Sequence, residues 1–540
     1  MSNYLKFALL LLLVGCQPNT ADTSKSEEID QATIAKHIET LASDAFMGRM
    51  PFTKGEEKTV SYLKSEFEKL GVSPGNGDSY FQEVPLVEIT GTPSEKMRIS
   101  GSKGDFDLNY FDDFVSLTRK TDSVVSLENS ELVFAGYGIV APEYGWDDYK
   151  GIDWKGKTAV VLVNDPGFAT KDSTLFKGNA MTYYGRWTYK YDEAARQGAA
   201  GVLIIHETAP ASYGWNVVQS SWSGAHLNLE SEAPVTDVEG WLSKAAATKV
   251  FEASPIENKD FNKLALSKDF KPIPLGVTAS IKITNTIKRD VSKNVVGLIE
   301  GTDRKDEYVI YSAHWDHLGI GRPVNGDSIY NGAVDNASGT AALLAIAEAF
   351  KKGSPPKRSV VFLAVTAEEQ GLLGSAYYAE HPIYPPEKTV ADINMDAFES
   401  PGPMKDLTIT GFGQSEMDEY AKEAAEKQER YIIPDPEAEK GYFFRSDHFN
   451  FAKIGIPALY AAGSYEDFDH GPEYILKKND EYREKRYHQP SDEYDPATTE
   501  LSGVRFDVQL LYEVGLKLAN ESNFPKWYDD SEFKAAREGR

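Results

Sequence analysis

Three apolar segments between residues 308 and 396 constrain the fold of this chain most strongly. Their sequences are YVIYSAHWDH, SVVFLAVTAEEQG and VADINMD, and NGAVDNASG with a helix-like segment lies between the first two. Continuous runs rich in Val, Ile and Ala, separated by helical segments, are typical of buried parallel strands. The sequence therefore predicts an α/β fold with a mixed, mostly parallel central sheet flanked by helices.

Each of these segments carries acidic residues or histidine near its end. In an open parallel sheet the binding site lies beyond the carboxyl ends of the strands, so we expect these side chains to converge in space. They are His314, Asp316, Asp335, Glu368, Glu369 and Asp396. Carboxylate oxygens mixed with imidazole nitrogen suit a borderline metal ion, and zinc is the ion that fits best.

The length and the charge of the chain restrict its organisation and its partners. A chain of 540 residues is too long for one compact core and indicates two or three domains. The formal net charge of −26 argues against nucleic acid or an anionic membrane surface as an electrostatic partner. The composition indicates an acidic protein surface, and no sequence pattern indicates an oligomeric state.

The N-terminus has the pattern of a secretion signal that ends at Cys16, the single cysteine of the chain. The apolar run FALLLLLVG follows Lys6 and is too short to span a bilayer, but it has the length of a signal-peptide core. The LVGC sequence resembles the bacterial lipobox, which implies cleavage before Cys16 and a lipid on its sulfur. An ordinary signal peptide with an incidental cysteine is the alternative. We expect a lipoprotein signal peptide at 1–15 and a flexible tether at 16–29.

The resemblance to a lipoprotein implies a protein of the bacterial cell envelope, anchored by lipid at Cys16. The outer membrane is the expected location, and the periplasmic and surface faces remain alternatives. The membrane contact would then depend on the lipid and not on a spanning helix.

The sequence pattern changes near Ser126, where short predicted strands alternate with Gly/Pro turns. We predict a β-rich inserted domain at 126–282, which carries no cluster of metal ligands. The α/β domain then has two parts, 30–125 and 283–525, followed by a C-terminal tail at 526–540. Residues 465–486 are charged and aromatic without a clear period, and we expect a surface lid or loop there.

Five motifs occur in the order of a known signature: HWD, GAVDNASG, the adjacent glutamates, NMD and YHQPSDEY. On these motifs the chain resembles the clan MH co-catalytic zinc peptidases, over about residues 30–125 and 285–520. That superfamily includes bacterial leucyl aminopeptidases, glutamate carboxypeptidases and glutaminyl cyclases. The insert resembles the protease-associated domain found in such enzymes. The resemblance implies a zinc-exopeptidase fold of the phosphorylase/hydrolase-like type.

The resemblance also assigns metal ligands to residues of this chain. It implies two Zn²⁺ per chain, one held by His314 and Asp396 and the other by Glu369 and His488, with Asp335 bridging both. Each metal then has three protein ligands and an open position, as a catalytic zinc site requires. Glu368 matches the general base, which takes a proton from the metal-bound water, so that a bridging hydroxide results, and passes the proton to the leaving amine.

Further residues match supporting positions of the family. Asp316 matches a carboxylate that orients His314. Tyr487 matches a phenol that polarises the scissile carbonyl, and Asp492 matches a residue that orients His488. The peptide bond between Asp335 and Asn336 is expected to be cis.

Two residues leave alternatives open. Arg445, in FFRSDHF, resembles a substrate-binding arginine of related aminopeptidases, and a structural ion pair is the alternative. His317 lies three residues after His314, as in a helical ligand pair. Because this segment is a strand end, we do not expect His317 to be a ligand.

The resemblance allows four functions. The first is a lipid-anchored aminopeptidase that hydrolyses the N-terminal bond of a peptide substrate. The second is a carboxypeptidase or dipeptidase of the same superfamily, and the third is a glutaminyl cyclase. The cyclases keep one zinc, so the two ligand sets favour a peptidase. The fourth is a non-catalytic receptor, which is disfavoured because all ligands and the base are present.

Overall fold

The computed structural model describes residues 26–231, 233–267, 269–399 and 401–539. Cys16, the predicted signal peptide and most of the predicted tether lie outside the described residues. Within the described part, no helix is both long enough and apolar enough to cross a membrane.

The strands are, in chain order, β1 (Ser73–Pro74), β2 (Phe81–Pro93), β3 (Lys96–Gly101), β4 (Phe106–Asn109), β5 (Phe114–Leu117), β6 (Val124–Phe134), β7 (Val140–Ala141), β8 (Trp146–Asp147), β9 (Lys157–Leu162), β10 (Gly201–His206), β11 (Ala225–Leu229), β12 (Val238–Ser243), β13 (Ile273–Ile299), β14 (Arg304–His314), β15 (Gly319–Val324), β16 (Asp327–Tyr330), β17 (Arg358–Val365), β18 (Thr389–Asn394), β19 (Asp406–Ile409), β20 (Tyr431–Pro434) and β21 (Ala458–Ala462).

The α-helices are α1 (Gln31–Leu41), α2 (Lys54–Leu70), α3 (Pro166–Thr170), α4 (Trp187–Arg196), α5 (Thr208–Ala211), α6 (Trp215–Ser221), α7 (Lys244–Ala253), α8 (Phe261–Ala265), α9 (Gly339–Lys352), α10 (Leu373–Glu380), α11 (Met417–Lys427), α12 (His448–Lys453), α13 (Pro472–Lys485), α14 (Ser502–Asn520) and α15 (Lys534–Glu538). A π-helical turn, Ala333–Ser338, precedes α9.

The central sheet is mixed and mostly parallel, which confirms the predicted fold class. β14 lies between β17 and β18 and is parallel to both, and β18 is parallel to β21. β13 is antiparallel to β17, and β19 is antiparallel to β21. The carboxyl ends of β14, β17 and β18 therefore lie at the same edge of the sheet.

Helices cover both faces of this sheet. On β14, Val309, Tyr311 and Ala313 face a core that includes residues of α1, α2, α9 and α14. Ile310 faces the opposite core, with Tyr378 of α10 among its members. Because both faces are buried there, the second half of the strand is mostly apolar and shows no alternation of apolar and polar residues.

A second hydrophobic core surrounds β9, β10 and β12, which are parallel neighbours. The buried residues of β3, β4 and β5 also join this core, although they precede the predicted boundary at residue 126. β13 crosses the predicted boundary at residue 282 without a break. It pairs with β6 near its beginning, with β2 in its middle and with β17 at its end. One long strand therefore connects the two cores.

Of the expected surface lid or loop over 465–486, the loop is wrong, because helix α13 occupies most of this segment. Only Ile475 and Tyr482 of this helix are buried. Two buried positions seven residues apart give too sparse an apolar pattern for the helical period to be visible in the sequence.

Gly515 allows α14 to lie close to β14. A Cβ atom at this position would lie 1.8 Å from Tyr311 Oη, which donates a hydrogen bond to Leu511 O at 3.0 Å. We expect Gly515→Ala to lower the free energy of unfolding by about 1–3 kcal/mol or more, because it overpacks the core. Urea denaturation measures this change. Lys517→Ala, which removes an exposed contact with Glu423, should cost less than about 1 kcal/mol. Equal stability of Gly515→Ala and the parent protein would contradict this account of the packing.

Candidate metal centre

The predicted ligands come together at the carboxyl edge of the central sheet. His314 is the last residue of β14 and is paired in register with Val365 of β17. Asp396 follows β18, and Asp335 lies in the π-helical turn before α9. The topology thus brings together side chains that are distant in the sequence.

The first cluster consists of His314, Asp335 and Asp396, whose ligand atoms lie within 4.8 Å of one another. His314 Nε2 is 3.1 Å from Asp396 Oδ1 and 3.3 Å from Asp335 Oδ1. All three side chains are largely buried. These donors match the first predicted ligand set.

The second cluster is formed around the other oxygen of Asp335. His488 Nε2 is 3.3 Å from Asp335 Oδ2 and 3.1 Å from Glu369 Oε2. Asp335 therefore directs one carboxylate oxygen to each cluster, as a bridging ligand must. In the described structure His488 Nε2 is buried without a hydrogen-bond partner. A nitrogen that faces two carboxylate oxygens without hydrogen-bonding them fits a shared metal ion.

His317 also contacts this second cluster, contrary to the expectation from its position in the sequence. Its Nδ1 is 2.6 Å from Glu369 Oε1, and the ligand atoms of His317, Asp335 and Glu369 lie within 4.8 Å of one another. Each carboxylate oxygen of Glu369 therefore lies near one histidine. His317 contacts Oε1, and His488 contacts Oε2. His317 either orients Glu369 or joins the ligand set.

The adjacent glutamates have opposite pKa shifts. Burial, reinforced by the charges of Asp396 and Glu369 and opposed by His314, raises the pKa of Glu368 well above its ordinary value. Burial and Asp335 also raise the pKa of Glu369, but His488 and His317 outweigh them and lower it to about 2. Environments that separate two pKa values in this way distinguish a proton carrier from a permanently ionised ligand.

The bridging carboxylate is ionised. Burial favours its neutral form, but the close imidazoles of His314 and His488 outweigh that effect and hold the pKa of Asp335 well below the ordinary range. The Asp335–Asn336 peptide bond is cis, as the resemblance implied. Asn336 Nδ2 donates to Met395 O at 3.0 Å, which connects this turn to the segment that carries Asp396.

Asp316 and Asp492 hold main-chain segments of the site. His314 Nδ1 lies 3.2 Å from the carbonyl oxygen of Asp316 and 3.7 Å from its carboxylate. That carboxylate accepts a hydrogen bond from Glu368 N at 3.0 Å, so it also fixes the turn that carries the expected base. Asp492 Oδ2 accepts from Asp335 N at 3.2 Å, so it positions the bridging residue, whereas the resemblance suggested that it orients a histidine.

Tyr487 and Arg445 lie around the metal centre. The ring of Tyr487 stacks on that of His488 at a centroid distance of 3.9 Å, and the residue is 45% exposed. Arg445 Nη2 donates to Lys440 O at 2.5 Å. Among the described residues Arg445 forms no ion pair, and its guanidinium instead contacts the carbonyl of Lys440 and the ring of Tyr442.

Three supporting residues were missed by the sequence reasoning. Ser446 Oγ donates to Asp396 Oδ2 at 2.5 Å, and Tyr460 Oη donates to Asp396 O at 3.3 Å. The third is Arg49, which lies in a loop that the sequence marks only by Gly and Pro. Its guanidinium is buried and donates to four main-chain carbonyls, those of Leu41, Trp315, Asn331 and Gly332.

The comparisons with known proteins agree with this site. Residues 294–511 match the model of Peptidase family M28. This segment is less than half of the chain, and it contains all the predicted metal ligands. The match supports the predicted class, a metallopeptidase, and together with the donor set it supports zinc as the metal.

Curated relatives match over a shorter segment. Aminopeptidase NAALADL1 of Mus musculus is 38% identical over 140 residues, which is 24% of this chain and 17% of that protein. Probable glutamate carboxypeptidase LAMP1 of Arabidopsis thaliana is 34% identical over 140 residues, which is 25% of this chain and 18% of that protein. The chain thus matches less than one fifth of the length of these relatives.

Solved structures match over most of the chain at low identity. An aminopeptidase from Aneurinibacillus sp. strain AM-1 is 18% identical, with a TM-score of 0.49, over 92% of this chain and 96% of that one. BSAP, a zinc aminopeptidase from Bacillus subtilis, is 18% identical, with a TM-score of 0.42, over 94% of this chain and 100% of that one.

The four carbonyl contacts of Arg49 predict that the metal centre depends on this residue. We expect Arg49→Met to lower the free energy of unfolding by at least about 3 kcal/mol, since each unsatisfied buried acceptor costs about 1–3 kcal/mol. Zinc content should fall as well, because the two loops that Arg49 holds flank the ligands. Urea denaturation and elemental analysis measure the two effects. Arg98→Met, at an exposed arginine, is the control and should change neither. An unchanged unfolding midpoint for Arg49→Met would contradict the proposed structural role.

Proposed function

We propose that the chain is a dinuclear zinc exopeptidase, and that it is an aminopeptidase that hydrolyses the N-terminal peptide bond of peptides. The observation that carries this proposal is the position of Asp335, which faces one ligand cluster with each carboxylate oxygen. A single-metal protein has no need of a second cluster, so the geometry disfavours a glutaminyl cyclase.

Two ligand sets would hold the metal ions. His314 and Asp396 would hold one zinc and Glu369 and His488 the other, with Asp335 shared between them. Bound zinc supplies Lewis-acid polarisation of the scissile carbonyl and of the attacking water. The two sets contribute three carboxylates against two divalent cations, so the loaded site keeps a net positive charge that favours developing negative charge on the substrate.

Glu368 is the proton carrier of the reaction. Its carboxylate takes one proton from the attacking water, and the same proton then goes to the nitrogen of the departing amine as the C–N bond breaks. The hydrogen bond from its own N–H to Asp316 fixes the turn on which it stands. Burial, with the neighbouring carboxylates, raises the pKa of Glu368, which makes its carboxylate a stronger base toward the attacking water.

The matched pair of glutamates tests these roles. We expect Glu368→Gln to lower kcat by about 10²–10⁴-fold, because the amide cannot accept the proton, while zinc content stays at two per chain. Glu369→Gln should lower the zinc content, because a neutral amide is a poorer ligand than a carboxylate. Elemental analysis and steady-state kinetics on both variants give the two readouts.

The opposite pattern would assign the roles differently. If Glu368→Gln lost metal while Glu369→Gln retained two zinc ions, the roles of the two residues would be the opposite of those proposed. Near-normal turnover by Glu368→Gln would reject it as the base. One zinc per chain in a fully active parent protein would restore the cyclase alternative.

A carboxypeptidase or dipeptidase is the second candidate, and the guanidinium of Arg445 favours it, because an arginine without an ion pair suits a substrate carboxylate. Amino-acid p-nitroanilides, which have no C-terminal carboxylate, discriminate the two candidates. An aminopeptidase hydrolyses them, and a carboxypeptidase instead requires a free C-terminus and tolerates a blocked N-terminus.

We also propose a lipid anchor at Cys16, which would place the enzyme in the bacterial cell envelope. The support is the LVGC sequence after a short apolar run. The cysteine thiol is the acceptor in such a sequence, so Cys16→Ser should leave the protein without lipid. Detergent partitioning and the mass of the mature N-terminus are the measurements, with Ser24→Ala in the tether as the control. A lipid mass that persists in Cys16→Ser would refute the anchor.

A further inference from the structure

The turn between β17 and α10 carries both adjacent glutamates on a strained main chain. Ala367 and Leu372 have φ values of 53° and 60°, a left-handed conformation that is unfavourable for any residue with a Cβ atom. Such conformations persist only where the surrounding structure determines them. Since Ala367 directly precedes Glu368, contacts from outside the turn must decide where the side chain of the base points.

Asn294, near the end of β13, connects the two ends of this turn. Its Oδ1 accepts a hydrogen bond from Thr366 N at 3.0 Å, and its Nδ2 donates to Gly374 O at 2.9 Å. Gly374 N in turn donates to Thr366 O at 2.9 Å. The packing is close, because a Cβ atom on Gly374 would lie 2.6 Å from Asn294 Oδ1. One fully buried side-chain amide therefore closes the turn at both ends.

The position of Asn294 in the sheet explains these contacts. β13 and β17 are antiparallel, and their last backbone pair joins Val295 to Ala364. Asn294 lies just beyond that pair on β13, and Thr366 lies just beyond it on β17. A side-chain amide offers one acceptor and one kind of donor, as a peptide group does. Asn294 thus continues the hydrogen bonding past the point where the backbone ladder ends.

Thr366 is held through its side chain as well. Ser292 Oγ donates its one proton to Glu56 Oε1 at 2.9 Å, so Thr366 Oγ1 is the donor in its contact with Ser292 Oγ at 2.6 Å. Glu56 Oε2 accepts from Phe52 N at 2.7 Å. The first residue of the turn is therefore fixed to β13 by two contacts, and through Ser292 to the beginning of α2.

The two glutamates depend on this support to different degrees. The side chain of Glu369 is held from outside the turn, by His317 at 2.6 Å and His488 at 3.1 Å. The carboxylate of Glu368 lies 3.9 Å from His314 Nε2, which is beyond hydrogen-bond distance. The position of Glu368 is thus set mainly by its main chain. A displaced turn should affect the proton carrier more than the ligand.

We propose that Asn294 is a positioning residue for the reaction, which fixes the turn so that the carboxylate of Glu368 faces the attacking water. The inference rests on the proposed function and extends it to a residue on another strand. Asn294 transfers no proton itself. It acts through the main chain of Thr366 and Gly374.

A double-mutant cycle on amino-acid p-nitroanilides, at saturating Zn²⁺, tests this role. We expect Asn294→Leu to lower kcat by about 10–100-fold with KM changed by about threefold or less, because displacement of a catalytic group by about 1 Å costs up to about 10²-fold in rate. In the Glu368→Gln background the same change should lower kcat by about threefold or less, since the base that it would displace is already absent. A merely structural role would lower kcat equally in both backgrounds.

Two further variants control for the loss of a buried amide. Asn285 is a second buried asparagine of β13, and its Nδ2 donates to Asp122 O at 2.7 Å, away from the turn. Asn285→Leu should lower the urea midpoint and leave kcat unchanged. Asn294→Asp retains the acceptor for Thr366 N, so its kcat should lie between those of the parent and Asn294→Leu. If Asn294→Leu does not fold, Asn294→Asp takes its place in the cycle.

Amide hydrogen exchange gives a readout that is independent of hydrolysis. Residues 366–374 should exchange about tenfold faster or more in Asn294→Leu, because the turn loses the contacts at both of its ends. β18 is the internal reference and should exchange at the parental rate, which excludes a global loss of stability. Asn285→Leu should leave the exchange of residues 366–374 unchanged.

The outcomes separate this inference from the proposed function. An equal loss of kcat in both backgrounds, or unchanged exchange of the turn in Asn294→Leu, would overturn the positioning role and leave the peptidase intact. Absence of hydrolysis by the parent protein would reject the proposed function. The exchange of residues 366–374 would then decide by itself whether Asn294 fixes the turn.

Discussion

The guanidinium of Arg49 is the interaction on which the geometry of the metal centre depends. It is 1% exposed and connects the end of α1 to the residue after His314 and to the turn that leads to Asp335. Burial lowers its pKa to about 10, although the surrounding carboxylates, Asp316 first among them, oppose that effect. Arg49 is therefore charged at neutral pH, and it holds in place the main chain that presents the acidic site.

Glu368 and Glu369 are consecutive residues of the same type, and they differ in chemistry because their contacts differ. Glu368 and Glu369 leave the end of β17 in a turn, so their side chains point in different directions. Glu369 lies between His317 and His488, which keep it ionised. Glu368 has no such partner at hydrogen-bond distance, since His314 Nε2 is 3.9 Å away, and burial dominates its pKa. A ligand and a proton carrier thus arise from the same side chain in two environments.

The sequence predicts those parts of the molecule that are determined by the local pattern of apolar and polar residues. The buried parts of β14, β17 and β18 appear as mostly apolar runs, and parallel topology then places His314 and Asp396 at one edge. The contacts of Arg49 and Ser446 are long-range hydrogen bonds, and no periodicity marks their partners. Helix α13 is not visible in the sequence because it buries few residues, and β3 to β5, which join the second core, resemble any other short strands. The contact of His317 with Glu369 is not predicted by a helical spacing from His314, because the chain turns immediately after β14.

The predicted ligands of the metal centre all come from outside the predicted insert. Every proposed metal ligand, and Glu368, lies outside residues 126–282. β13 nevertheless takes part in both cores, because it pairs with β6 near its beginning and with β17 at its end. Since Glu368 and Glu369 follow β17, this one strand connects the second core to the sheet whose carboxyl edge carries the ligands.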